Sequence, residues 1–410
     1  MYLLKAPVDK FGLLPAKSPL ITEEVQFTNN IAYCPKYFWK KWHVLQGCVD
    51  VTPDWMKKMR QERELFNILF IATGGFGDIM WYMPFMKACR LKYPRARILV
   101  ATDERAMPLF AGVPYADMCV RDEFWNLQAL IRNSHEVYDF GGIATMLQRE
   151  MNLDPIDATF LDGELPRPKD RKDCRPMLVL TVDEGKQAEA LLRRHGVDPW
   201  KDKIITIGLE SSTPNRNWPH SYAKELTERL IAAGNKVIWL SESKDFGDSY
   251  FYECSCGTPF DFATKTPPER LDWICPKCHA INSVDKIEPP AGVVNLGGKT
   301  TIRQALSVLA LSNVFVGPNS GLMVAATALE TPTVGLFGAF DPKIRCKYYD
   351  KFVYVWGRPN CSPCKEHWTE CRLGYPAPCM RLVKVDDVEK QINGLMARYP
   401  KTSEERRPIV

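Results

Sequence analysis

Nothing in this sequence of 410 residues offers a secretion signal: the start, MYLLKAPVDKFG, lacks an apolar core followed by a small-residue cleavage site. No unbroken membrane span is legible either. The uncharged run Ala305–Leu329 is interrupted by Asn313, Pro318, Asn319 and two glycines, so it reads as helix, strand, turn and helix. Neither sign of charge dominates, with 54 Lys and Arg against 49 Asp and Glu. A formal net charge of +5 is too small for this length to imply nucleic-acid binding by itself, although it suits an anionic partner. The dinucleotide fingerprint GxGxxG is absent from the first glycine-rich turn, which disfavours NAD. The expectation is a soluble, cytoplasmic protein without a membrane span.

What is present has an ordinary globular balance, 45% hydrophobic and 25% charged, in a chain long enough for two or three domains. Cysteine is abundant at 14 residues. Two clusters of four look like metal ligation rather than a secreted disulfide lattice, which again points to a reducing cytosol. Cys34, Cys48, Cys89, Cys119, Cys174 and Cys346 are scattered and read as small packed hydrophobes.

Along the chain, residues 1–64 are rich in aromatics and prolines, lack a βα rhythm and end in KKMRQERE. They read as an accessory extension with short strands near Gln26–Ala32, structural in role or contacting a partner or acceptor. From Asn67 the pattern becomes α/β. NILFIAT is a buried strand, GGFGD a turn, Ile79–Leu91 a helix containing Pro84, and ARILVAT the next strand. A helix over Glu104–Ala111, a strand over Glu136–Phe140 and a helix over Ile143–Met151 are expected to follow. RPKDRKDCRP (Arg167–Pro176) reads as an interdomain connection, then Asp183–His195 as a helix that Gly196 ends. A second βα series starts at KIITIGLE: helix Ser221–Ala233, strand KVIWLSE, short strand VVNLGG and helix Thr301–Leu311. Strands alternating with helices predict parallel sheets covered on both faces, here two, with ligands at the carboxyl ends of the strands.

Two turns carry the chemical expectation. In SNVFVGPNSGLMVAATALETPTVGLFGAFD, strand Asn313–Val316 leads through Gly317–Gly321 into helix Leu322–Leu329, and Thr333–Phe337 is the next strand. A Ser-Gly turn opening a helix offers free backbone N–H groups and the positive end of the helix dipole, a seat for phosphate. The same turn also occurs where nothing binds. The second turn, Gly74-Gly75-Phe76-Gly77-Asp78, brings backbone close to a ligand and places Asp78 at a helix start. Asp78 there is a helix cap or a general base for an acceptor hydroxyl.

Five pieces stand together in one order: FIATGGFGDIMWYMP (Phe70–Pro84), MLVLTVDEGKQAEALLRRHGVDP (Met177–Pro199), IGLESSTPNRNWPHSYAKEL (Ile207–Leu226), the stretch Asn295–Pro342, and CSPCKEHWTECRLGYPAPCMRLV (Cys361–Val383). This set resembles glycosyltransferase family 9, the heptosyltransferase family, over residues 66–395. The resemblance implies a GT-B fold with an acceptor domain at 65–176, a nucleotide-sugar domain at 177–395 and a tail at 396–410. It implies inverting, metal-independent transfer of a sugar, by family default heptose from ADP-heptose, from a nucleotide-diphospho-sugar to an acceptor hydroxyl. Asp78 matches the family's base. Arg216 falls where the family carries a Lys, to stabilise the leaving diphosphate. Ser211 and Ser212 match hydroxyl positions of that loop, and Glu242 lies near a ribose-binding Glu. Gly75, Gly77, Asn319, Ser320, Gly321 and Leu322 complete the expected donor site. Two departures touch the donor sugar: Asn319 stands where the family usually has an acid, and Val324 where it often has a His.

Within the second domain, Cys254 and Cys256 with Cys275 and Cys278, in YECSCGTPF and WICPKCHA, carry the spacing of a zinc ribbon. A structural zinc would supply the folding energy of this insertion, residues 250–284, and the module could contact a partner. Cys361, Cys364, Cys371 and Cys379 form a second cluster, a metal site or a brace beneath the donor loop. The acceptor is open between glycolipid, protein and modified DNA, and a catalytically degenerate scaffold is the reading from another class.

Overall fold

The computed structural model describes residues 66–139, 153–241, 289–364, 371 and 377–401, together with short strands in the stretches between. Two compact units emerge. One holds residues 1–74 and 81–174; the other holds 75–80 and 175–410. Among the described residues no helix is long and apolar enough to cross a membrane.

The first unit is built on a parallel sheet of β1 (Asn67–Ala72), β2 (Arg97–Thr102), β3 (Met118–Arg121) and β4 (Glu136–Asp139), in the spatial order β3-β2-β1-β4. β1 runs as a continuous apolar stretch because both its faces are covered. α1 (Phe76–Lys92) follows β1 and carries Pro84 inside it. α2 (Phe124–Asn133) lies between β3 and β4 in sequence. α3 (Pro155–Gly163) is opened by Asp154, which accepts the Ile156 N–H at 2.8 Å, with proline in the first turn where no donor is needed. Phe85 closes the core against Phe70, Tyr138 and Phe160. The helix expected over Glu104–Ala111 is only a 3-10 turn, Met107–Phe110. Pro108 opens it and Gly112, at φ 74°, turns the chain away just after it. In the extension, Tyr2–Lys5 pairs antiparallel with Ile31–Cys34 and with Val49–Asp50, so the expected strand falls slightly later than Gln26–Ala32.

The second unit carries a six-stranded parallel sheet: β5 (Ile204–Gly208), β6 (Lys236–Leu240), β7 (Val294–Asn295), β8 (Val314–Pro318), β9 (Thr333–Phe337) and β10 (Phe352–Trp356). Their spatial order, β7-β6-β5-β8-β9-β10, is that of a doubly wound Rossmann sheet. The order reverses between β5 and β8, and ligands bind such sheets at the carboxyl ends of the strands flanking that reversal. α4 (Val182–Arg194) begins with a full capping box, Thr181 and Glu184. α5 (His220–Ala232), α6 (Ile302–Leu311, again with a capping box) and α7 (Gly321–Ala328) supply the crossovers. Beyond β9 come α8 (Pro342–Arg345), α9 (Pro378–Arg381) and α10 (Val385–Arg398). α10 buries Val388, Ile392 and Leu395 in one core with β5, β6 and β9.

The inserted segment contributes antiparallel strands, Ser249–Glu253 with Pro259–Ala263 and Trp273–Ile274 with Ile281–Asn282. Cys254, Cys256, Cys275 and Cys278 lie outside the described residues, as do Glu242 and the helix expected over Ile143–Met151.

Candidate functional site

The site assembles at the carboxyl ends of β5 and β8. β5 ends at Gly208, where an added Cβ would lie 2.8 Å from the Phe315 ring, so the two neighbouring strands are spaced for glycine. The loop after β5 then folds on itself. Ser211 donates its N–H to Asn217 Oδ1 at 2.8 Å, and its hydroxyl is turned inward to the Thr213 carbonyl, 2.8 Å away, and to Asn217. Ser211 is therefore a brace of the loop, its hydroxyl committed there rather than presented to phosphate. Ser212 Oγ accepts from Arg216 Nη2 at 2.7 Å.

Arg216 is the centre of that loop. Its Nε donates to Thr213 Oγ1, and its Nη1 donates to the Asn319 carbonyl at 2.8 Å, tying the β5 loop to the turn after β8. Burial, and then the positive charge of Arg345, bring its pKa down to about 10, which leaves it fully charged at neutral pH.

After β8, Asn319 is buried and Ser320 sits at the N-cap of α7 without a side-chain cap bond. Ser320 Oγ is buried and has no hydrogen-bond partner in the protein, at the helix end whose first N–H groups have no acceptor within the helix. This combination suits an anion with several oxygens. Gly321 and Leu322 are half-buried at the same end. Val324, at the position where the resemblance leads to the expectation of a His, is fully buried.

The first glycine-rich turn joins this group, because residues 75–80 cluster with the second unit. Gly74 adopts φ 118°, a region closed to residues with side chains. Asp78 lies in the first turn of α1, and its Oδ2 accepts the Gly75 N–H at 3.1 Å. Helix cap and charged group are thus the same carboxylate. Its pKa is raised: burial dominates, opposed by Arg345, the Gly75 N–H and Arg216 in that order. The two glycine turns touch: a Cβ at Gly321 would lie 2.9 Å from Phe76 Cβ, and one at Gly77 3.4 Å from Val324 Cγ2.

Sequence reasoning missed Phe340 and Arg345. The available signal was Asp341-Pro342, a cap followed by proline, which starts α8 and sets Arg345 one turn on. Arg345 is buried, with its guanidinium carbon 4.3 Å from the Phe340 ring centroid.

The second cysteine cluster braces this region. Cys379 is buried against Gly338, where a Cβ would come within 2.6 Å of its Sγ, and the Cys364 N–H donates to the Ala339 carbonyl at 2.7 Å. Burial, with Cys371 and Cys361 adding to it, pushes the Cys379 thiol up to about 11. All four cysteines of the cluster carry free thiols, and among the described residues no group of three or more His, Cys, Asp or Glu side chains is arranged to hold a metal ion.

Comparison with known proteins agrees with this architecture. The sequence model described as Glycosyltransferase family 9 (heptosyltransferase) matches residues 275–373. Lipooligosaccharide heptosyltransferase 2 of Haemophilus influenzae is 22% identical over 337 residues, 70% of this chain and 88% of that protein. Lipopolysaccharide heptosyltransferase 2 of Salmonella typhimurium is 30% identical over 252 residues, 61% of either chain. The solved structure of E. coli ADP-heptose lps heptosyltransferase II is similar with a TM-score of 0.56 at 18% identity, over 82% of this chain and 100% of that one. These likenesses show a GT-B fold, and the chain is similar to heptosyltransferases of glycosyltransferase family 9.

Proposed function

We propose that this glycosyltransferase moves a sugar, by family default heptose from ADP-heptose, from a nucleotide-diphospho-sugar to an acceptor hydroxyl with inversion at the anomeric carbon. The observation that supports the reading best is the meeting of the two glycine turns. It sets the Asp78 carboxylate within electrostatic reach of Arg216 and beside the N-terminal end of α7. In the reaction, the acceptor oxygen forms a bond to the anomeric carbon as the bond from that carbon to the diphosphate oxygen breaks. Asp78 takes the hydroxyl proton, for which a carboxylate with a raised pKa is the stronger base. The diphosphate leaves with the bonding electron pair, and the charge it gains is met by Arg216 and the N–H groups at Ser320–Leu322. The heptosyltransferase relatives support heptose as the sugar, and the likeness to E. coli ADP-heptose lps heptosyltransferase II supports ADP-heptose as the donor.

For the inserted segment, the zinc-ribbon reading rests on cysteine spacing, with the Trp273–Ile274 and Ile281–Asn282 strand pair lying on either side of Cys275 and Cys278 in sequence. The bound metal would fold the module and takes no part in the transfer chemistry.

The test of the transferase reading is release of free nucleoside diphosphate from a panel of nucleotide-sugars, ADP-heptose among them, in the presence of candidate glycolipid, peptide and DNA acceptors. Acceptor-dependent release that disappears in Asp78→Asn is the expected result. Release from no donor, or release unaffected by Asp78→Asn, defeats it.

A further inference from the structure

A sheet edge with unpaired backbone groups invites another strand, and folded proteins blunt such edges with shortness or charge. Three of the four edges of the two parallel sheets follow that rule. β7 has only two residues, Val294–Asn295. β3 ends on Arg121, which pairs with Glu104, and β4 begins with Glu136 and ends with Asp139. β10 departs from it. Phe352–Trp356, FVYVW, is five residues without a charge, and among the described residues no strand lies beyond it.

Both faces of β10 are already occupied. Val353 and Val355 pack against the core that includes α10, while Phe352 and Tyr354 set their rings against Phe337. What stays open is the edge, and every residue of the strand is accordingly half-buried. The ladder to β9 fixes where its backbone groups point. The Thr333 N–H donates to the Lys351 carbonyl at 2.8 Å and the Gly357 N–H to the Phe337 carbonyl at 2.9 Å, so the odd-numbered residues face β9. Strand alternation then turns the N–H and C=O of Tyr354 and Trp356, and the Phe352 carbonyl, outward.

Around Tyr354 the chain reads alike in both directions. DKFVYVWGR (Asp350–Arg358) has a valine on each side of the tyrosine, an aromatic beyond each valine and opposite charges at its ends. An antiparallel copy aligned on Tyr354 sets that residue against itself, Phe352 against Trp356 and Asp350 against Arg358. All of these are even-numbered, the parity that points outward and that the hydrogen-bonded pairs of an antiparallel ladder require. Facing aromatics and facing opposite charges both favour such a pair. Asp350 stands 3.0 Å from Arg175 with its side chain 46% exposed, and exposed Arg358 lies over the Trp356 ring, so both end charges are at the surface. A foreign strand would need no such symmetry; a second copy does.

We propose that β10 is a self-association edge: a second copy of this chain pairs antiparallel with it about Tyr354, joining two six-stranded sheets into one of twelve. Because the two strands run in opposite directions, the carboxyl ends of the two sheets point apart, and neither copy closes the other's site.

Sedimentation equilibrium of the full chain over a range of concentrations tests this, beside thermal midpoints, in wild type, Tyr354→Lys, Arg358→Asp and Arg358→Asp combined with Asp350→Arg. The wild type is expected to be a dimer. Tyr354→Lys brings two cations together at the centre of the ladder and should raise the dissociation constant by about tenfold or more. Arg358→Asp places two carboxylates face to face at both ends, and should raise it about fivefold at low salt and less at high salt. The double variant should return to within about twofold of wild type, since the exposed pair of Asp350 with Arg175 that it also removes is worth little. A wild type that is monomeric at the highest concentration reached overturns the proposal. A dimer that neither single variant weakens overturns it in favour of another interface, and a double variant that stays as weak as Arg358→Asp overturns the alignment on Tyr354. If Tyr354→Lys lowers the thermal midpoint, the charge variants decide, because they leave the aromatic strand intact.

Discussion

At the scale of single residues, Asp78 combines two duties that sequence inspection posed as alternatives. Its carboxylate caps α1 through the Gly75 N–H, and the same bond fixes its orientation toward the arginines. Asparagine can still accept that bond through its amide oxygen, without the charge. Asp78→Asn should therefore fold, bind ADP and lose turnover by about 10²–10⁴-fold, the usual contribution of a general base. Stability gives a signed check. The folded-state pKa of Asp78 lies above its ordinary 3.8, so its contribution to stability is fully present below that value and is lost as pH rises through the folded pKa. At neutral pH the ionised side chain is thus a burden, and the thermal midpoint of Asp78→Asn should equal or exceed that of wild type. A clear drop would mean the carboxylate is structural. For activity the sign is opposite, since only the ionised form accepts a proton: kcat/KM should fall on the acid side, with its limb above the ordinary aspartate range.

Among elements, α4 and α6 show how a motif is wired into the fold. Thr181 and Glu184 cap α4 reciprocally, and the same Glu184 carboxylate receives both Nε and Nη2 of Arg303 on α6, each at 2.6 Å. Arg303 also donates to the Val179 carbonyl. The hydrogen bonds from Arg303 are the main reason the Glu184 pKa falls to about 2 from 4.5. A depressed pKa means stability that is present above 4.5 and lost as pH falls through about 2. Glu184→Gln should lower the thermal midpoint at neutral pH and flatten its dependence between those two values, which acid titration followed by circular dichroism would show. Thr181→Ala should cost about 1 kcal/mol, typical of a lost N-cap, measured by urea unfolding.

These elements were also the ones most legible in the sequence. The helices expected over Asp183–His195 and Thr301–Leu311 are α4 and α6, and the structure begins each at the residue after a threonine cap. Strands β5, β6, β8 and β9 were plain because strands buried on both faces read as unbroken apolar runs. α3 is not expected from the hydrophobic pattern, although Asp154-Pro155 is a helix start, because the helix is short and runs into a charged, proline-rich stretch. β10 went unread too, its residues being only half-buried at the sheet edge. In the site, Asp78 and Ser320 follow from the glycine turns, and Arg216 from the family resemblance. Phe340 and Arg345 do not, because an aromatic ring gathering two arginines is a tertiary fact with no spacing of its own.

For the molecule as a whole, the doubly wound order of the second sheet puts its ligand end where β5 and β8 part, and every residue of the proposed diphosphate seat hangs from the loops after β5 and β8. The base arrives from a strand of the other unit, yet the six residues that carry it, 75–80, cluster with the second. The zinc reading is tested at this scale. Cys275→Ser should lower metal content measured by elemental analysis and loosen the inserted segment, while nucleoside diphosphate binding by the sheet survives.

The meeting of Gly77 with Gly321 has an uneven consequence. A methyl group at 77 would rest at ordinary contact distance from Val324, inside a helix that favours alanine, whereas one at 321 would overlap Phe76 Cβ, an atom no rotamer can withdraw. If both codons were randomised and the survivors sequenced, position 77 should drift toward Ala and Ser while position 321 stayed monomorphic. The seam between the two turns would reveal itself in a library as one permissive column and one invariant column.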